Sequence, residues 1–169
     1  MYGVKKTLKP RAEAFLLMTI ILSVFVCLVV SIIISVPLWN NMALNSFSEQ
    51  LFDCNLPVGA RLVEKHAICG KLNGNGNGMD FLACILIESD KTTDEVERHF
   101  EMLQFKGAKS SAHIAEVQVL PANGAKLYTE YLTNKKIFFD ENIKPSDNTY
   151  YTIVLYDGGY RTLWDLRGN

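Results

Sequence analysis

The chain predicts an α+β fold. An N-terminal transmembrane helix is followed by an extracytoplasmic antiparallel sheet in the order ββαβ(α)ββ, with one or two helices on one face. Three observations lead there. The stretch Phe15–Val36 runs for about 22 residues without a charge, long enough at 1.5 Å of rise per residue to cross a hydrocarbon core. Beyond it, β-rich apolar runs alternate with clusters of Gly, Asn and Asp. Between two of those runs lies a short amphipathic stretch with a helix start signal at Thr92.

Residues 1–14 form a basic tail, with Lys5, Lys6, Lys9 and Arg11 against Glu13. The rest of the chain sets 13 Lys and Arg against 17 Asp and Glu, so a net charge of −1 conceals two oppositely charged parts. Four cations precede the apolar run and none follows it before Arg61. Short flanks rich in Lys and Arg stay cytoplasmic, which places the tail inside and the C-terminal domain outside. The apolar run exceeds the h-region of a cleaved signal, and SVPLWNNMA offers no Ala-x-Ala site, so an uncleaved anchor in the cell membrane is expected. Cys27, preceded by Val26 deep in the span, does not suit lipidation.

The span is assigned to 15–38, with Trp39 at the aromatic belt and Pro37 near the helix end. Residues 39–55 form an amphipathic stalk, with Leu44, Phe47 and Leu51 on one stripe. The break at Asn55-Leu56-Pro57-Val58-Gly59 opens the external domain, 56–169. Ala60–Leu72 and Met79–Glu88 make a hairpin around Asn73-Gly74-Asn75-Gly76-Asn77-Gly78, and the continuous apolar character of the second run marks a central strand. Thr92 and Glu95 fit a capping box for a helix reaching about Phe105, with Val96, Phe100 and Leu103 on its apolar stripe.

Ile114–Leu120 alternates as a third strand, bounded by Pro121. Leu127, Tyr128, Tyr131 and Leu132 suggest a second helix, and Ile137-Phe138-Phe139 a short strand or a buried loop anchor. Tyr150–Tyr156 and Tyr160–Leu166 form a closing hairpin about Asp157-Gly158-Gly159.

Leu56-Pro57, the run Cys69–Gly78, Ser89-Asp90 and Asp165-Leu166-Arg167-Gly168 together resemble small, uncharacterised single-pass membrane proteins of Gram-positive bacteria, over most of the external domain. The resemblance implies an extracytoplasmic domain on the plasma membrane and carries no activity or site residues. The external domain has no Asn-x-Ser/Thr sequon, which is compatible with a bacterial source.

Among candidate chemical groups, Cys54, Cys69 and Cys84 fall outside the span, where disulfides persist. A hairpin turning within 73–78 brings Cys69 and Cys84 nearly opposite each other, a candidate disulfide; Cys54–Cys69 is the alternative, and reduced, buried thiols are the plainer reading. His66-x-x-Cys69 is one short metal-like spacing without a second pair, and strand neighbours three apart face opposite ways, so no metal site is assigned. No Gly-x-Ser-x-Gly or His-Glu-x-x-His occurs, and Cys84 follows Ala83 where a sortase-like enzyme calls for Thr before its cysteine. Glu95 and Glu101 fall on a solvated helix face.

The Asn-Gly repeat lacks the Gly-Lys-Ser/Thr of a phosphate loop, which leaves Asn73, Asn75 and Asn77 as a candidate binding loop at a hairpin tip. The late aromatics, Tyr128 to Trp164, read mainly as sheet core, with a partner or glycan surface as the sharper alternative.

No cofactor is implied, no catalytic residue is assigned, and an acidic domain without a basic stripe argues against nucleic acid. The function expected is a non-enzymatic, membrane-anchored binding or accessory module. It meets the lipid bilayer through Phe15–Val36 and an envelope protein through its domain. A pilin-like structural subunit is the main alternative, although Pro10-Arg11-Ala12 before Glu13 departs from the Gly that its peptidase would need. A cell-envelope enzyme of unknown type is the other.

Overall fold

The protein was analysed as a computed structural model, which describes residues 10–72, 78–122, 139, 149–161 and 165–168. Its backbone is a long helix α1 (Pro10–Phe52), strands β1 (Arg61–Gly70) and β2 (Met79–Ser89), helix α2 (Thr93–Glu101), strands β3 (Glu116–Ala122) and β4 (Thr149–Tyr160), and a 3₁₀ turn at Leu166–Gly168. The four strands form one antiparallel sheet in the order β1-β2-β4-β3.

The span and stalk expected from the sequence are one uninterrupted helix of 43 residues, about 65 Å at the standard rise. It is the one helix among the described residues long and apolar enough to cross a membrane. Its first part is bare: Phe15 to Leu38 expose nearly every apolar side chain. Its last part lies on the sheet, burying Phe47, Ser48 and Leu51. Phe47 meets Phe81 edge to face, centroids 6.4 Å apart, a contact worth about 1 kcal/mol beyond the area it buries. Pro37 sits inside the helix and cannot donate to the carbonyl one turn back.

β2 is buried along its entire length because it has a strand on each side and side-chain layers on both faces. One layer joins α1 and α2 to the sheet through Phe47, Leu51, Val96, Phe100, Phe81, Ile85 and Ile153. Both helices therefore cover the same face. The opposite layer gathers Leu82, Cys84, Leu86, Val154 and Phe139. Phe139 is thus a buried anchor, edge to face with His66 at 5.4 Å. The second helix expected near Leu127–Leu132 lies outside the described residues.

The α2 capping box is present, with Glu95 N–H donating to Thr92 Oγ1 and Thr92 N–H to Glu95 Oε2. The Thr92 N–H and the Thr92 hydroxyl, both donating to Glu95 Oε2, hold that exposed carboxyl below its ordinary pKa. The helix stops at Glu101, short of the expected Phe105, because Phe105 turns into the core and its carbonyl accepts from Ala115 N–H.

Pro121 does not end β3. It pairs with Tyr151, which an edge strand permits because one side of its backbone needs no donor.

The closing hairpin expected at Asp157-Gly158-Gly159 is not formed. β4 continues through these residues to Tyr160, and Leu166 belongs to the 3₁₀ turn. Where Met79 faces Tyr160 and Phe81 faces Asp157, β4 carries one extra residue, and Gly159 supplies a left-handed φ of 83° for the bulge. The sheet therefore has four strands among the described residues.

Gly158 and Gly159 serve the bulge differently, and their alanine variants separate the two roles. A Cβ at Gly158 would overlap Asp80 Oδ1 and the Tyr156 hydroxyl, whereas one at Gly159 meets nothing within 4 Å. Gly158→Ala should cost about 2–3 kcal/mol from crowding, and Gly159→Ala about 1 kcal/mol from backbone strain alone. Denaturant titration of both variants in micelles measures this, and equal losses would overturn the assignment.

Candidate functional site: a polar clamp at the foot of the domain

Just past the apolar run, α1 carries the amides Asn40 and Asn41. Asn40 is 2% exposed, which a polar side chain tolerates only with a partner. Its Nδ2 donates to Asp165 Oδ2 at 2.7 Å. Asp165, itself 1% exposed, also accepts from Arg167 Nη2 at 2.7 Å and Nε at 2.9 Å, a bidentate charge-assisted pair. Arg167 reaches on to α1, where Nη1 donates to Asn41 Oδ1 at 2.7 Å and Nη2 to the Pro37 carbonyl at 3.3 Å.

Two residues apart, Asp165 and Arg167 project together because the 3₁₀ turn begins between them, and Arg167 N–H donates back to Asp165 Oδ1. The turn is tied to the sheet as well. Lys71 N–H donates to the Arg167 carbonyl at 2.6 Å, and that oxygen lies 3.0 Å from where a Cβ on Gly70 would stand.

The electrostatics follow from this geometry. The Arg167 guanidinium, with help from Asn40, holds the Asp165 carboxyl well below the usual carboxylate range, against the effect of burial. The same pair raises Arg167. Behind them Lys109 places its Nζ 5.4 Å from the Phe81 ring centroid and 5.6 Å from that of Tyr160. Burial lowers its pKa, and the field of Asp165 opposes that.

A second polar node fixes the bulge. Asp80 accepts Leu72 N–H and Gly159 N–H, each at 3.0 Å. Buried Asp157 accepts Ala108 N–H at 2.7 Å and the Tyr160 hydroxyl at 2.5 Å, both on Oδ2. His113 Nδ1 stands 2.8 Å from Oδ1, an ion-pair distance without hydrogen-bond alignment. Burial, reinforced by Asp157, pushes the Tyr160 phenol up to about 12. Between α1 and the chain at 106–111 runs an open groove of about 640 Å³, from Trp39 to Gln50. Gln50 closes its far end with two bonds to the Lys106 backbone, at 2.8 and 3.1 Å.

The residues singled out in the sequence are mostly elsewhere. The hairpin register sets Cys69 opposite Phe81 and Cys84 opposite His66, so the cross-strand partner expected for each cysteine is not the other. The two thiols enter different layers on opposite faces of the sheet, and all four cysteines are free. Cys54 is half-buried. Burial pushes Cys84 up to about 12 and also raises Cys69 and Cys54, the opposite of nucleophile activation.

His66 lies on the Cys84 side with Glu64 Oε1 2.5 Å from its Nε2, and Cys69 points away from it. Among the described residues no three His, Cys, Asp or Glu side chains gather as metal ligands. Tyr150 and Tyr151 are core, with the Tyr151 hydroxyl donating to the Lys91 carbonyl at 2.6 Å. Asn73, Asn75 and Asn77 lie outside the described residues, as do Tyr128, Tyr131, Phe138 and Trp164. The clamp was not anticipated. Its one local signal is the Asn-Asn pair following Trp39, an unusual polar step on a helix that the apolar run continues into.

The clamp has a pH signature. Because the folded pKa of Asp165 is depressed, its contribution is complete above the ordinary carboxylate value of 3.8 and is lost as pH falls through the folded value. Asp165→Asn should cost about 2–3 kcal/mol near neutrality, from lost charge-assisted bonds. The gap from wild type should narrow below about pH 4, as the carboxyl takes up its proton in the unfolded chain while the native one stays ionised. Melting curves from pH 7 to 3 check this, and a pH-independent gap would overturn the charge assignment. Maleimide at pH 7 should modify Cys54 before Cys69 or Cys84, read by mass shift; prompt Cys84 labelling would contradict its burial.

No protein-family model matches the chain, and no curated protein or solved structure matches it significantly.

Proposed function

We propose that this protein is a single-pass membrane-anchored module that presents an extracytoplasmic α+β domain to another component of the cell envelope, without catalysing a reaction itself. The observation that carries this reading is the clamp. Asp165 and Arg167 bind the domain to α1 at Pro37, Asn40 and Asn41, just past the end of the apolar run. A domain so tied is held at fixed height and orientation above a bilayer, which suits a surface that must meet a neighbour. The cations before the span and their absence after it support a cytoplasmic tail and an outer domain. The groove beside α1, with Trp39 at one end and Gln50 at the other, is the concave surface such a neighbour would meet.

One observation favours a second reading, a pilin-like structural subunit. A bare apolar half-helix continuing without interruption into a half laid on a sheet can assemble side by side with copies of itself. The two readings differ in processing and in partner. The anchored module keeps Met1, and cross-linking in intact membranes followed by solubilisation recovers a specific heterologous envelope protein. A subunit cleaved near Glu13 and cross-linked into ladders of itself would favour the structural reading and overturn the first. Orientation is tested in right-side-out vesicles, where external protease should remove the domain and leave the tail; an intact domain would reverse the topology.

A further inference from the structure

We propose that the 165–168 turn is a lipid-contacting foot. Leu166 enters the phospholipid headgroup layer beside Trp39, and Lys71 reaches a lipid phosphate. The inference rests on the membrane-anchored reading and follows from where the clamp attaches. A hydrocarbon core of about 30 Å is filled by the helix up to about Val36. Each headgroup layer adds roughly 5–7 Å, or about four residues of helical rise. Pro37 to Asn41 therefore lie in that layer.

Arg167 donates directly to Pro37 and Asn41, and Asp165 accepts from Asn40, so the turn shares their depth. Between those two tied residues Leu166 is 82% exposed. On α1 at the same level Trp39 is 75% exposed, with Leu38 and Met42 bare beside it. Large apolar side chains gathered at one depth, on two elements, are costly in water and suit the interface, where tryptophan in particular is at home.

The charges fit the same layer. Asp165 and Arg167 neutralise each other, so the turn brings no uncompensated charge with it. Lys71, exposed and joined to the turn through its backbone bond to the Arg167 carbonyl, supplies the cation a phosphate would meet. The opposite end of the domain has its own exposed apolar residue, Val58, in the loop that follows α1. That residue makes the natural control.

The test uses the full chain in vesicles of phosphatidylcholine and phosphatidylglycerol with brominated acyl chains, which quench nearby indoles. Leu166→Trp and Val58→Trp are each placed in a Trp39→Phe, Trp164→Phe background, and Trp39 is read in Trp164→Phe alone. The expected result is strong quenching of Trp39 and of the indole in Leu166→Trp, several-fold above that in Val58→Trp. Quenched Trp39 with Leu166→Trp no better than Val58→Trp overturns the foot and leaves the anchor standing. Unquenched Trp39 overturns the anchor, and the foot with it.

Lys71→Glu should lower the Leu166→Trp quenching in these anionic vesicles; no change removes the phosphate contact. Should the tryptophan-depleted background fail to fold, benzoylphenylalanine at position 166 of the otherwise unaltered chain gives an independent reading. Irradiation should add a lipid mass there and not at position 58, and no lipid adduct at 166 overturns the proposal.

Discussion

A single buried amide, Asn40, stands where two unlike parts of this molecule meet. Below it α1 is a bare apolar rod; above it the same helix is one layer of a folded domain. Asn40 could not be buried at that junction without an acceptor, and Asp165 could not be buried there without cations and amides around it. Each condition is met by the other residue and by Arg167. The helix, the 3₁₀ turn and the end of β1 are consequently fixed against one another by a few short polar bonds. Phe47 and Leu51 then continue that attachment through apolar contact with the sheet.

The sheet itself depends on β2, which reaches both neighbours and both side-chain layers. Its inner half faces α1 and α2, its outer half Phe139 and the Cys84 layer. A strand so enclosed has no tolerance for polar side chains except at its ends. Asp80 and Glu88 stand there, Asp80 bonded to the bulge and Glu88 paired with Arg61. The bulge in β4 is a second requirement of the same kind. Asp80 needs donors, and the peptide of Gly159 can offer one only because the chain turns through a left-handed conformation opposite it.

What could be read from the sequence was local. The unbroken apolar run of Phe81–Ile87 within Met79–Glu88 announced a central strand, and Thr92 with Glu95 announced a helix start, because both signals are complete within a few residues. The errors arose where a distant partner reassigned a local signal. Asp157-Gly158-Gly159 is chemically a turn, yet Asp80 and Ala108 take up its polar groups and keep the strand extended. Pro121 reads as a boundary, but the edge position makes it harmless. Cys69 and Cys84 differ from true partners by an odd number of residues in register, and in a pleated strand that moves a side chain to the other face. The clamp was out of reach for the plainest reason, since Asn40 and Asp165 are 125 residues apart.

That separation has a consequence in time. Asn40 leaves the ribosome long before Asp165, and every strand of the sheet is made in the interval. During synthesis α1 and the strands can therefore meet first, through Phe47 and Leu51 in the shared core and through Gln50 on the Lys106 backbone. The clamp can close only once Asp165 and Arg167 have emerged. It completes the foot of a domain whose upper part can already be seated on its helix, and a chain interrupted before Asp165 would carry strands β1 to β4 with Asn40 lacking its acceptor.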